Sequence, residues 1–252
     1  MTTGQAKTKA SELLGRLGAL ADVSRPNELE LVRIRREAEG IRKTHPAEAS
    51  AILGTIAAMM YDENEMRREF EMALKIAPRE LVVAANYPFA LFRLGYFREA
   101  GDRYRNAHEL APADIVVLDK TIEAYAVIGR FAEAVELYKF RSKMVHERRH
   151  PWESAILRAP VYIKSNSVKE RDVEDLVDVA ANVLRASQIP VNGTALLNMA
   201  DEESDWMSIH FLIDEPVATV VELNVELARR LAGQGSPMTA EYHFTVMYMV
   251  KG

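Results

Sequence analysis

The sequence predicts a helical repeat array over residues 1–150, followed by a small acidic α+β domain over residues 151–252. Three observations carry that prediction. A pattern of small residues, aromatics and proline recurs about every 34 residues between positions 47 and 148. After His150 that period disappears, and amphipathic helical stretches alternate with short apolar runs of strand character. The charge balance changes at the same place. There are 24 basic and 22 acidic side chains up to His150 (+2), and 8 and 15 from Pro151 onward (−7), which sum to the net −5 of the chain.

Taken in order, residues 11–20 and ELELVRIRREAEGIRKTHP (28–46) are helical by spacing, with Leu31, Ile34, Ala38 and Ile41 on one face. Together they read as a degenerate hairpin capping the array, since terminal repeats tend to be atypical. Three units follow, 47–80, 81–114 and 115–148. LGYFREAGDRYRNAHELAP (94–112) sets their pattern: Gly95, Phe97, Ala100 and Tyr104 recur as Gly129, Phe131, Ala134 and Tyr138, while Tyr104, Ala107 and Pro112 fall on Phe70, Ala73 and Pro78. Physically, Ala100 and Ala134 let two helices cross closely, and the aromatics one turn later fill the space beside the crossing. Gly95 and Gly129 permit the tight turn between helices. Pro78 and Pro112 end the second helix of their units. Each unit also departs from the pattern. Met66 replaces a small residue, Pro88 should kink or shorten the first helix of the second unit, and Arg141 with His146 should let the third unit run on as a longer terminal helix.

In the second domain, VKERDVEDLVDVAANVLRAS (168–187) is an amphipathic helix with Val173, Leu176, Val177, Ala180 and Leu184 on its apolar stripe. GTALLNMA (193–200) and DWMSIHFLI (205–213) read as hairpin strands around the acidic tip Asp201, Glu202 and Glu203. Asp214 as N-cap and Pro216 in the first turn open a helix to about Ala232, closed by Gly233 and Gly235. EYHFTVMYMV (241–250) is the last strand, with Tyr242, Phe244, Val246 and Tyr248 on one face. The order is α-β-β-α-β. A strand at Ile156–Ile163, at the sheet edge because of Pro160, would make it the β-α-β-β-α-β order of ferredoxin-like domains. The alternative places Trp152 in a fourth helical repeat whose first helix Pro160 interrupts.

The three units in register resemble the tetratricopeptide repeat family. That resemblance implies a partner-binding groove lined by the first helix of each unit, with Thr55, Met59, Asn86, Phe89, Arg93, Lys120 and Glu123 among its lining residues. Some family members clamp a C-terminal carboxylate from such a groove. Asn86 and Lys120 stand at two clamp positions, but Ala51, Thr55 and Val116 occupy the others, so a mixed apolar and polar groove for a peptide or helix is the expectation. The capping helices or the second domain are the competing occupants of that groove.

Composition narrows the rest. Cysteine is absent, so no disulfide, thiolate nucleophile or cysteine-bound metal is expected, and the location expected is cytoplasmic. No apolar run approaches the roughly 20 residues that cross a bilayer. The acidic second domain disfavours nucleic acid. His146 and His150 stand one helical turn apart without an accompanying carboxylate motif, in a basic helix end, and are read as solvated rather than as a metal pair. Trp206, His210 and His243 share a predicted sheet face and form a candidate second binding surface, through which the sheet could also pair with its own copy as a homodimer. No phosphate loop, nucleophile elbow or zinc-binding helix is present. The expectation is therefore a non-catalytic interaction protein of adaptor, regulator or immunity type, with no cofactor and no metal. The alternative is a ligand-sensing or small enzymatic α+β domain near Trp206, with the repeats as a platform.

Overall fold

A computed structural model gives the fold and describes residues 9–21, 26–145, 148–200, 205–234 and 243–251. Within them the chain forms eleven helices and three strands. The helices pair as antiparallel hairpins: α1 (Lys9–Leu20) with α2 (Glu28–Ile41), α3 (Pro46–Met59) with α4 (Glu63–Ile76), α5 (Leu81–Arg93) with α6 (Phe97–Leu110), and α7 (Ile115–Val127) with α8 (Phe131–Met144). After them come α9 (Glu153–Ser165), α10 (Glu170–Ser187), β1 (Gly193–Ala200), β2 (Asp205–Ile213), α11 (Val217–Gln234) and β3 (Phe244–Val250).

The helix starts are set locally. The side chains of Asn27, Asp62 and Asp114 each accept backbone amide hydrogens of the following turn, satisfying donors that have no partner inside the helix. The turns show the repeat most directly. Tyr61, Gly95, Gly129 and Ser167 all have left-handed backbone (φ +58, +80, +83 and +57°) at the same place between helices, spaced 34, 34 and 38 residues apart. Ser167, between α9 and α10, repeats the turn conformation, and α9 packs on α8, but α10 does not fold back onto α9 as α4, α6 and α8 do onto their partners. Ala100 and Ala134 are fully buried at the helix crossings, with Phe70, Tyr104 and Tyr138 beside them.

Three expectations are corrected. Residues 156–163 are not a strand but part of α9, because Ala155, Ile156, Ala159, Tyr162 and Ile163 bury one helical face, so the ferredoxin-like order falls. Pro160 sits inside that helix, and Pro88 sits inside α5, which keeps 13 residues like α7 and is not shortened. The third unit does not run on: α8 has 14 residues like α4 and α6. Arg141 at the small-residue position is buried, ion-paired with Asp119, and donates to the Arg148 carbonyl at 2.8 Å.

α10 takes an unexpected course along the turn edge of the array. Its start lies against Gly129, its C-terminal half (Ala181, Leu184 and Arg185) against Gly95, and Arg185 with the following Gln188 borders Tyr61. Arg98 on α6 grips its acidic side, reaching Glu174 at 2.9 Å and Asp178 at 2.8 Å, and the Glu170 carboxylate accepts the Ala132 amide at the start of α8 (2.7 Å).

The sheet has the order β1-β2-β3, with β1 and β2 antiparallel and β2 and β3 parallel through the α11 crossover. Its inner face, Leu196, Met207, Ile209, Phe211, Ile213, Phe244, Val246 and Tyr248, is buried in the same apolar core as α7 to α11. The repeat-equivalent Phe97 and Phe131 meet Phe211 and Phe244 there, with ring centroids 4.7 and 5.6 Å apart. The apolar core thus runs without a break across residue 150. On the outer edge of β3, the Asn224 carboxamide binds both the amide (2.9 Å) and the carbonyl (2.9 Å) of Tyr248, which blunts that edge for strand pairing.

Candidate functional site

The candidate groove residues separate into two groups. Thr55 and Met59 on α3 lie beneath the α1–α2 hairpin, where Ile52, Leu53, Ile56 and Met59 pack on Leu13, Leu17, Leu31, Ile34 and Ala38. The Thr55 hydroxyl is spent on the Ala51 carbonyl at 2.8 Å. The capping hairpin therefore fills the first part of the groove: Thr55 is buried, and Met59 instead borders a separate cavity of about 570 Å³ with Leu31, Tyr61 and Gln188. Asn86 is half-buried and donates to the Val82 carbonyl of its own helix at 2.7 Å.

Phe89, Arg93, Lys120 and Glu123 do converge. With Phe92, Tyr104, Ala124, Trp152 and residues 191–194 they line a cavity of about 330 Å³ between α5 and α7. The chain closes one end of it, since the Val191 amide donates to the Arg93 carbonyl at 2.9 Å. Arg93 itself is buried, with one guanidinium nitrogen donating to the Ala21 carbonyl at 2.8 Å. At the rim, Lys120 pairs with Glu123 at 2.7 Å. The walls are thus aromatic (Phe89, Phe92, Trp152), and the rim offers one cation and one carboxylate on successive turns of α7.

His150 stands behind this cavity, buried, with Nδ1 accepting the Trp152 amide at 3.1 Å and Nε2 4.0 Å from Glu123. Burial holds its pKa below the usual histidine range, opposed by the Asp119 and Glu123 carboxylates. It is a packed residue rather than the solvated helix end expected, and its sequence partner His146 lies outside the described residues. Burial also raises the Tyr104 phenol on the cavity floor. Trp152, Tyr104 and residues 191–194 were not anticipated as lining. The only sequence signal for Trp152 is its place at the entry of a fourth repeat.

On the sheet, Trp206, Ser208 and His210 do share the outer face of β2, opposite the fully buried Met207, Ile209, Phe211 and Ile213. His210 is buried between strand neighbours Ala195 and Met247, and this desolvation lowers its pKa. His243 is held elsewhere. Its ring packs edge-on to Tyr162 at 6.2 Å, with Nδ1 3.5 Å from the phenol, while that phenol donates to the Asp205 carbonyl at 2.6 Å. His243 precedes Met247, the register partner of His210, by four residues, a separation of about 13 Å along the strand. The two histidines are too far apart to share a proton. The tip Asp201, Glu202 and Glu203 lies outside the described residues, as do Gly235 and Tyr242. Asp205 pairs with Arg158. Among the described residues no three histidine or carboxylate side chains gather as a metal-ligand set, and no helix is long and apolar enough to cross a membrane.

The fold places the chain in a broad class, a series of packed helical hairpins carrying a three-stranded sheet. No family model matches the sequence, and no curated protein matches it.

Proposed function

We propose that the chain is a non-catalytic docking protein of tetratricopeptide-repeat type, which receives a short peptide or helix of another protein in the cavity between α5 and α7. The single observation that supports this reading is the convergence of Phe89, Lys120, Glu123 and Trp152 on one concave space of about 330 Å³. Aromatic walls contribute apolar area at low entropic cost, and a charged rim fixes orientation, as in recognition pockets for peptide side chains. The ligand side chain expected is aliphatic or aromatic, with a flanking polar group that competes for the Lys120–Glu123 pair. The filled first part of the groove limits the footprint to the second and third units. Chemistry suited to acyl, phosphoryl or proton transfer needs titratable groups within hydrogen-bond reach of one another; at the rim Lys120 and Glu123 are spent on each other at 2.7 Å, and Arg93 and Tyr104 line the cavity as buried groups.

The test is selection of a displayed peptide library on the full chain. The chain has two tryptophans, so Trp206→Phe leaves Trp152 as the sole reporter. A selected peptide should shift Trp152 emission, and Phe89→Ala with Lys120→Glu should abolish that shift while leaving the melting curve near wild type. Selected peptides that bind the double variant as tightly as wild type would remove the cavity from consideration.

A further inference from the structure

The crossover helix α11 buries Val220, Leu223 and Leu227 in the core. A surface helix normally turns charged and polar residues to the opposite side. Here that side is apolar. Val217, Val221 and Val225 are 65, 54 and 52% exposed, and the exposed Ala218, Ala228 and Ala232 lie among them. Positions 218, 221, 225, 228 and 232 advance by alternating steps of three and four, the spacing of a helix-pairing seam. No charge interrupts the stripe. Two charged residues, Glu222 and Arg229, flank it on one side, both exposed and one heptad apart. Glu222 has no ion-pair partner among the described residues, and Arg229 reaches only Glu226 on its own helix.

From this arrangement we infer that α11 is a self-association helix, pairing antiparallel with α11 of a second copy of the chain across a two-fold axis. The order of the residues selects both partner and direction. In the antiparallel register that sets Val221 against Val225 of the second copy, Ala218 meets Ala228, and the two-fold axis repeats each contact. Flanking positions of the same kind then face each other, so Glu222 meets Arg229 of the other copy, twice. A parallel pair would instead set Val217 against Glu222 and Asn224 against Arg229, with no opposite charges meeting. Alanine and valine let the two helices approach at the short end of the usual interaxial range of about 8–10 Å. In this register residues 217–229 of the two 18-residue helices overlap, a seam about 20 Å long. Such a short seam lies at the small end of specific interfaces, about 1,000 Å², so the dimer expected is a weak, concentration-dependent one. The blunted β3 edge is left out of this contact, and the interface is the helix that covers it.

Sedimentation equilibrium on the full chain, from micromolar to sub-millimolar concentration, tests this. Wild type should show a reversible monomer–dimer equilibrium. Val225→Glu, on an exposed position, should melt like wild type yet weaken the dimer by on the order of 100-fold, because it buries an unpaired charge. Glu222→Arg and Arg229→Glu should each weaken it by on the order of tenfold, since each sets like charges together. The double variant Glu222→Arg, Arg229→Glu should restore it to within about twofold, which a merely nonspecific contact would not do. A wild type that stays monomeric throughout overturns the inference. So does a dimer indifferent to Val225→Glu but broken by Leu197→Glu, which would place the contact on the outer sheet face. Failure of the double variant to restore association overturns the antiparallel register.

Discussion

The course of α10 along the turns makes one comparison unusually informative, because Gly95 and Gly129 share a backbone conformation but not an environment. Both have left-handed φ, +80 and +83°. A Cβ added at Gly95 would meet its nearest neighbours, the Arg185 side chain and the Ala181 carbonyl, at 3.4 and 3.5 Å, which is ordinary contact. At Gly129 it would come within 3.2 Å of the Glu170 carbonyl oxygen, the Glu174 amide nitrogen and the Val173 Cβ. Two of those three atoms are backbone of α10 and cannot rotate away. Gly95→Ala should therefore cost only the conformational penalty, about 1 kcal/mol. Gly129→Ala should cost that plus overpacking against α10, together about 3 kcal/mol. For a chain of this size these correspond to melting temperatures lower by about 2–4 and about 6–12 °C. Gly40→Ala, inside α2 with nothing within 4 Å of the new methyl, supplies a control of opposite sign, since alanine is the better helix former by about 1 kcal/mol. Thermal melts and urea titrations of the three variants read these differences. Equal losses at Gly95 and Gly129 would refute the packing of α10 against the third turn and leave only the shared backbone conformation.

Other substitutions test separate parts of the argument. Ser167, exposed and left-handed at φ +57°, is the fourth turn residue, and Ser167→Gly should stabilise by about 0.5–1 kcal/mol in a thermal melt. Loss of stability there would show that the serine makes a contact outweighing its backbone strain. Arg141→Ala should cost about 3–5 kcal/mol in urea unfolding, because it strands Asp119 and empties a buried site. A cost under about 1 kcal/mol would mean that water replaces the guanidinium. Burial lowers the pKa of both His150 and His210 in the folded chain, so between pH 7 and 5.5 the unfolded chain binds more protons. Their stabilising contribution is complete above the ordinary histidine value of about 6.5 and declines as pH falls through it. His210→Gln should make urea stability flatter over that window, and an unchanged slope in both His210→Gln and His150→Gln would show that neither histidine is buried neutral.

The repeat was legible because its chemistry is local. Gly95 and Gly129, Ala100 and Ala134, Tyr104 and Tyr138 each answer a demand made within one hairpin, so the period appears in the sequence. Helix α9 was obscured by Pro160, whose missing amide argues for an edge strand when that residue is weighed alone. Pro88 holds the corresponding place in α5: each proline lies seven residues before its turn residue, Gly95 or Ser167. The burial of Ala155, Ile156, Ala159, Tyr162 and Ile163 at helical spacing outweighs one missing hydrogen bond. Tyr61 and Ser167 hid the period further, since neither residue type announces a left-handed turn.

The candidate site was legible only where the array supplies it alone. Phe89, Arg93, Lys120 and Glu123 follow from counting along α5 and α7, and they converge. Thr55 and Met59 occupy equivalent places on α3, yet the α1–α2 hairpin lies over them. Whether a repeat face is open depends on packing between elements far apart in sequence, and no local pattern encodes that. The same holds for α10, whose acidic side meets Arg98 of α6, a contact between residues some 76 to 80 positions apart. An amphipathic stripe states that a helix has a partner without stating which one. α11 is the converse case. Its buried stripe accounts for one side, and the uninterrupted valines and alanines on the other are a second apolar side, left exposed by the described residues.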